Sequence, residues 1–203
     1  MNFERWKPLQ DFSTPPDCMD WRHVQMVHAV LTNEWPKSIV EIGCARGFSS
    51  SAIFEAVEMS GAIRTVDLVE PRPSILLSNA VLSVKPDHSF AKFTIHPYCS
   101  REYPASPECW IIDGDHWDGA IIDYNNATSR RARIVIIHDS NSFKSLGGHE
   151  GSYKIAERLK LDAVKFFEDK EDRAPEWTRR GIVIGFFYEP KPETLKALEE
   201  LAK

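Results

Sequence analysis

Between residues 38 and 159 the chain repeatedly runs a short β-branched stretch into a segment whose apolar residues recur at helical spacing, and that alternation is its strongest constraint. Ser38–Ile42 (SIVEI) precedes Ser49–Met59, where Ala52, Ile53, Ala56 and Val57 share one face and Gly61 is the stop. Ala62–Leu68 precedes Ser74–Lys85, which carries Ile75, Leu76, Leu77, Ala80 and Val81. Phe90–Ile95 is a third strand. Cys109–Ile112 (CWII) precedes Trp117–Ala127, with Ala120, Ile121 and Tyr124, and Arg133–Ile137 (RIVII) precedes a helix around Tyr153–Leu159. Runs this apolar suit strands buried on both faces. Short links between strand and helix units predict a doubly wound α/β fold, a mostly parallel sheet with helices on both faces. Two further strands, Ala163–Phe167 and Gly181–Tyr188, bring the count to seven and predict an antiparallel pair at one edge.

The 203 residues predict one domain over 1–203. Residues 1–19, with Pro8, Pro15 and Pro16, read as an irregular lead-in. Residues 20–35 form an N-terminal helix capped by Asp20, with Trp21, Val24, Val27, His28 and Leu31 at helical spacing. The core spans 38–190, and a C-terminal helix spans 191–203. The charged segment EDKEDRAPEWTRR, residues 168–180, reads as an exposed loop. With 25 basic against 30 acidic residues the chain lacks the positive field that nucleic acid or an anionic membrane attracts, and it has no run of eighteen apolar residues. A small-molecule partner fits better. The N-terminus lacks a secretory pattern, and Cys18, Cys44, Cys99 and Cys109 show no metal-ligand spacing, so they read as reduced thiols of a cytoplasmic protein.

In such sheets ligands bind beyond the carboxyl ends of the strands, where strand order reverses. At the end of the first strand stands Glu41-Ile42-Gly43-Cys44-Ala45-Arg46-Gly47. Gly43 provides a tight turn, and at Gly47 a helix begins, whose free N–H groups favour negative charge. A dinucleotide fingerprint would have glycine where Ala45 stands, and no Gly-Lys-Ser/Thr follows to make a phosphate loop. Asp67, at the end of the second strand and twenty residues after Gly47, is at the separation from which a carboxylate reaches ribose hydroxyls. Turn and acid together point to a nucleoside-containing ligand.

These residues resemble the class I S-adenosylmethionine-dependent methyltransferases, whose first motif looks like Glu41-x-Gly43-x-x-x-Gly47. The resemblance extends to Asp113-Gly114-Asp115-His116 after the fourth strand and to His138-Asp139-Ser140 after the fifth, and covers roughly residues 20 to 190. That set is similar to the small-molecule O-methyltransferases, the subgroup with sugar O-methyltransferases and cephalosporin hydroxylase-associated proteins. The resemblance implies a Rossmann-like methyltransferase fold and S-adenosylmethionine as cofactor. It implies that Glu41 faces the methionine ammonium, that Gly43, Cys44, Ala45 and Gly47 line the cofactor with Phe48 and Asp113 beside it, that Asp67 holds the ribose, and that Ser100 lies near the adenine.

Methyl transfer from a sulfonium is an in-line displacement, so the protein has to hold donor and nucleophile together and deal with the acceptor's proton. Asp113, Asp115, His116, His138 and Asp139 lie at two strand ends expected to be neighbours. Two uses stay open. In one, Asp113, His138 and Asp139 hold a divalent metal that lowers the pKa of an acceptor hydroxyl. Metal-dependent relatives tend to carry a carboxylate where His138 stands, and Mg²⁺ tolerates imidazole poorly while Zn²⁺ or Fe²⁺ accepts it. In the other, His116 or His138 acts as general base. Asp123 reads as a surface position on its helix, Trp110, Trp117 and Phe48 as core or cofactor packing, and His149 and Trp177 as loop residues that could meet substrate.

The expected function is therefore S-adenosylmethionine-dependent O-methylation of a small molecule. The rivals are a catalytically inactive binding or assembly module on the same fold and a nucleotide-dependent oxidoreductase. DGDH stands where nucleic-acid methyltransferases carry an Asn-Pro-Pro-aromatic motif. A homodimer whose partner completes the pocket is a further expectation.

Overall fold

A computed structural model describes residues 3–6, 9, 19–59, 61–84, 91–114, 117–140, 150–169 and 181–203. Seven strands form one sheet: β1 (Ser38–Ile42), β2 (Thr65–Val69), β3 (Lys92–His96), β4 (Cys109–Ile112), β5 (Ile134–His138), β6 (Lys165–Asp169) and β7 (Ile182–Phe186). Their order is β3-β2-β1-β4-β5-β7-β6. β1 to β5 are parallel, and β7 runs against both β5 and β6, so the expected antiparallel pair closes the sheet at one edge. Strand order reverses between β1 and β4, which places the switch point of a doubly wound sheet beside the glycine motif.

Side-chain alternation along the strands builds one apolar layer on each face. Ile39, Val66, Ile111 and Ile136 look to one side, where they join Val27 and Leu31 of α1 (Trp21–Glu34), Phe54 and Val57 of α2 (Ser51–Met59), Leu77 of α3 (Ile75–Ser83) and Leu198 of α6 (Pro192–Leu201). Val40, Trp110, Val135 and Val183 look to the other, against Ala120 and Tyr124 of α4 (Asp118–Ser129) and Ile155 and Leu159 of α5 (Glu150–Asp162). The helix starts follow ordinary capping chemistry. Asp20 accepts from the His23 N–H at α1, Ser74 accepts from Leu77 N–H at α3, and Pro192 opens α6. The lead-in meets the body through a 3₁₀ turn, Phe3–Trp6. Trp6 is buried there against Phe54, and its Nε1–H donates to Glu55 at 2.6 Å.

Three expectations are corrected. Asp123 is fully buried on α4, because the helix lies flat on the sheet and turns that position inward. Trp117 is 54% exposed at the start of α4, where the chain turns out of the crevice, and is not core. Glu168 and Asp169 are not loop residues. β6 runs through them, and Asp169 is buried with Arg22 at 2.8 Å as counterion. The rest of the charged segment, including Trp177, lies outside the described residues, as do His149, Asp115 and His116.

The first helix and the last are fastened by one carboxylate. Glu34, at the end of α1, accepts from the Tyr188 hydroxyl at 2.7 Å, from Lys191 N–H at 2.9 Å and from the Thr194 hydroxyl. Glu34→Ala leaves three donors short of an acceptor, the Thr194 hydroxyl among them fully buried, and is expected to lower unfolding free energy by about 1–3 kcal/mol in urea titrations, with the slope unchanged.

Candidate functional site

β1 delivers the chain into a turn that only glycine can make. Gly43 has φ +85°, and a Cβ on it would lie 2.4 Å from the carbonyl oxygen of Asp113 and 2.4 Å from Gly114 Cα. The turn therefore passes backbone against backbone at the end of β4. Gly43 N–H donates to Val69 O at 3.0 Å, and Asp113 N–H donates to Ile42 O at 2.9 Å, so the ends of β1, β2 and β4 are tied together. Ala45, where a dinucleotide fingerprint would have glycine, has φ +43°, a left-handed conformation that strains an L-residue.

Beyond these ends lies a crevice of about 410 Å³, within the size range of small-molecule sites. Its described walls are Ile42, Gly43 and Ala45 after β1, Val69, Glu70 and Pro71 after β2, Cys99, Ser100 and Arg101 after β3, and Asp113, Gly114 and Gly119 from β4 into α4. Of the nine expected cofactor residues, Gly43, Ala45, Ser100 and Asp113 stand in the wall. Glu41, Cys44, Gly47, Phe48 and Asp67 do not.

The absences have separate causes. Glu41 points from β1 into the helix-covered face, is fully buried and takes the Ser50 hydroxyl. Cys44 is buried with its thiol pushed well up, first by burial and then by the Glu41 and Glu70 charges. Gly47 lies under Leu77, whose Cδ1 is 2.8 Å from where a Cβ would stand. Phe48 stacks on Trp21 at 5.3 Å and is core. Asp67 sits in the middle of β2, which runs to Val69, and both its oxygens are engaged, with His96 Nε2 at 2.7 Å and the Tyr103 hydroxyl at 2.7 Å. The carboxylate at the actual end of β2 is Glu70. Its Oε2 accepts from Ala45 N–H at 2.9 Å and its Oε1 from Arg72 N–H at 3.1 Å. An ionised carboxylate has about four acceptor positions, so Glu70 keeps capacity for a ligand's hydroxyls. The sequence did hold a signal: Glu70 precedes Pro71, and the residue before proline is pushed to extended backbone, which lengthens the strand past Leu68.

Of the five polar groups expected at the ends of β4 and β5, Asp113, His138 and Asp139 lie together. His138 Nδ1 lies 2.9 Å from Asp113 Oδ1 and 3.4 Å from Asp139 Oδ1, with His138 and Asp139 fully buried. Asp139 has φ +58°, which turns its carboxylate back beside His138. One ligand atom from each of Asp113, His138 and Asp139 lies within 4.8 Å of the others, a donor set that fits a divalent cation of intermediate softness. Among the described residues no helix is long and apolar enough to cross a membrane.

Among the solved structures of the same shape are methyltransferases. The O-methyltransferase TomG from Streptomyces achromogenes, involved in tomaymycin synthesis and solved with S-adenosylmethionine, aligns at TM-score 0.61 and 14% identity over 87% of this chain and 84% of its own. The fold is the class I methyltransferase fold. The S-adenosylhomocysteine-bound methyltransferase PaMTH1 of Podospora anserina aligns at 0.61 and 14%, over 90% and 86%. The Bacillus cereus O-methyltransferase in complex with S-adenosylhomocysteine aligns at 0.62 and 12%, over 90% and 88%. No family model and no curated protein matches the sequence. At these identities the likeness is one of architecture, and activity has to be argued from the site.

Glu41 carries a measurable signature of this packing. Its carboxyl is pushed up to about 7, chiefly by burial and further by the Asp113 charge, against the Ser49, Ser50 and Cys44 contacts. The unfolded chain releases that proton near 4.5, so between pH 4.5 and 7 the folded state binds more protons and its stability falls as pH rises. Glu41→Gln removes the effect. Urea unfolding at pH 5 and pH 8 is expected to show wild type losing up to about 3 kcal/mol more than the variant across that interval.

Proposed function

We propose that the protein is an S-adenosylmethionine-dependent methyltransferase acting on an oxygen of a small molecule. The observation that carries this reading is the crevice at the β1/β4 switch point, where Glu70 at the end of β2 is bonded to the turn that Gly43 makes. Gly43 and Ala45 present backbone to the ligand, Glu70 takes the ribose hydroxyls in place of Asp67, and Ser100 stands at the adenine end. A side chain at position 43 would strike the backbone at the end of β4 and displace the turn that carries Ala45 and its bond to Glu70.

When bound, the cofactor supplies a methyl group on a sulfonium sulfur, transferred to the acceptor oxygen by displacement. Asp113, whose backbone and side chain reach the crevice, is the group that meets the acceptor. His138 and Asp139 stand behind it, where His138 Nδ1–H holds the Asp113 carboxylate that is suited to take the acceptor's proton. Asp113, His138 and Asp139 are also the residues that would hold a divalent cation, whose chemistry would be to lower the acceptor hydroxyl's pKa. The acidic balance of the chain supports a small acceptor over nucleic acid, and the free thiols of Cys44, Cys99 and Cys109 support a reducing, cytoplasmic setting. Exposed Leu161, Val164 and Phe166 beside the β6 edge support a homodimer, for which sedimentation of the purified protein is the check.

Calorimetric titration of S-adenosylmethionine and S-adenosylhomocysteine tests the cofactor. Wild type is expected to bind both. Glu70→Gln is expected to lose about 1–3 kcal/mol of binding, and Asp67→Asn less than Glu70→Gln, since Asp67 is turned to His96 and Tyr103. Absence of binding to wild type overturns the methyltransferase reading, and tight NADH binding in its place would revive the oxidoreductase.

A further inference from the structure

α1 brings to the buried cluster behind the crevice wall a histidine that its helical pattern does not single out. His23 is fully buried one turn into the helix. Its Nδ1 lies 3.2 Å from His138 Nε2, with the two rings edge to face at 76° and their centroids 5.2 Å apart. His23 is itself fixed by the helix start. Its backbone N–H donates to Asp20 Oδ1 at 3.0 Å, its Nδ1 is within 3.1 Å of Asp20 Oδ2, and Asp169 Oδ2, which pairs with Arg22, lies 3.6 Å from its Nε2, beyond hydrogen-bond reach. The first turn of α1 thus sets one imidazole against another.

The consequence lies in which nitrogen each ring offers. His138 faces Asp113 and Asp139 with Nδ1 and faces His23 with Nε2. Carboxylates accept, so a proton on His138 Nδ1 satisfies Asp113, and Nε2 then needs a donor, which His23 Nδ1–H supplies. A histidine at a reactive site has its ring orientation and tautomer set by the partner of its far nitrogen, and here that partner is the only imidazole of α1 that touches β5 among the described residues.

We propose that His23 is a positioning residue: it fixes the ring and tautomer of His138, and through it the side-chain cluster that meets the acceptor. Its effect on turnover rests on the methyltransferase reading, whereas its effect on His138 does not. Imidazole ¹⁵N–¹H correlation spectra of the full chain test the second directly. Wild type gives His138 as a single tautomer. His23→Phe keeps a ring but no donor and gives an altered or averaged His138 pattern, and His23→Asn, whose amide reaches the Nδ1 position, restores a single tautomer. Unchanged His138 nitrogen shifts in His23→Phe overturn the inference. Should that variant not fold, Asp20→Asn, which keeps the helix cap but removes the carboxylate charge beside His23 Nδ1, is read in the same way. With turnover, His23→Phe lowers kcat about 10–100-fold while S-adenosylhomocysteine affinity stays within about two-fold, and His23→Asn recovers most of kcat. Equal losses of kcat and affinity indicate general damage and also overturn it. If wild type binds no S-adenosylhomocysteine, the proposed function falls and the spectra still decide the role of His23.

Discussion

The close approach of the β1 turn to the end of β4 is the contact on which the rest of the site depends. With no Cβ at position 43, the chain leaves β1 hard against the Asp113 carbonyl and turns under the end of β2, and this opens a crevice bounded by four strand ends. Parallel register then sets what reaches it. Ile42, Ile112 and Val69 lie level with one another, so the residues just after them, Gly43, Asp113 and Glu70, arrive at the same height. The glycine is therefore a geometric requirement of the sheet before it is a feature of any ligand.

Around that contact the protein gathers buried charge and has to neutralise it. Glu41, Asp113 and Asp139 come from three neighbouring strands onto one end of the sheet, and Asp20 and Asp169 approach from α1 and β6. Isolated charges in an apolar interior are costly, so each is proton-bearing, paired or hydrogen-bonded. Glu41 responds by holding a proton to higher pH, Asp169 by taking Arg22, and Asp113 and Asp139 by sharing His138. This end of the sheet thus has two chemically different regions. Backbone, Glu70 and Ser100 line the crevice, and a buried acid and imidazole cluster lies behind its Asp113 wall.

The sheet, its two apolar layers and the clustering of Asp113, His138 and Asp139 were legible in the sequence, because a repeated period and polar groups at strand ends are local signals. What depended on one or two residues of strand length was not. Ending β2 at Leu68 makes Asp67 a ligand-facing acid, whereas the strand reaches Val69, which leaves Asp67 between His96 and Tyr103 and brings Glu70 to the end. Glu41 and Phe48 follow the alternation of β1 and the roll of the first helical turn into the core, a direction that motif spacing does not encode. Asp123 and His23 were illegible for a different reason. A polar residue on a helix reads as exposed until its partner is known, and the partner of His23 lies 115 positions away.

The placement of β7 between β5 and β6 bears on how the chain assembles. β6 is synthesised first, yet in the finished sheet it has no contact with β5 except through β7, which is made later. Until residues 182–186 emerge, β5 presents an open edge and β6 has no partner, so Asp169 has no fixed place from which to meet Arg22. The buried cluster of His23, His138 and Asp139 is consequently completed after the backbone cradle at β1, β2 and β4 has all its strands. α6, which meets Glu34 on α1, follows β7 in the chain and joins the last described helix to the first.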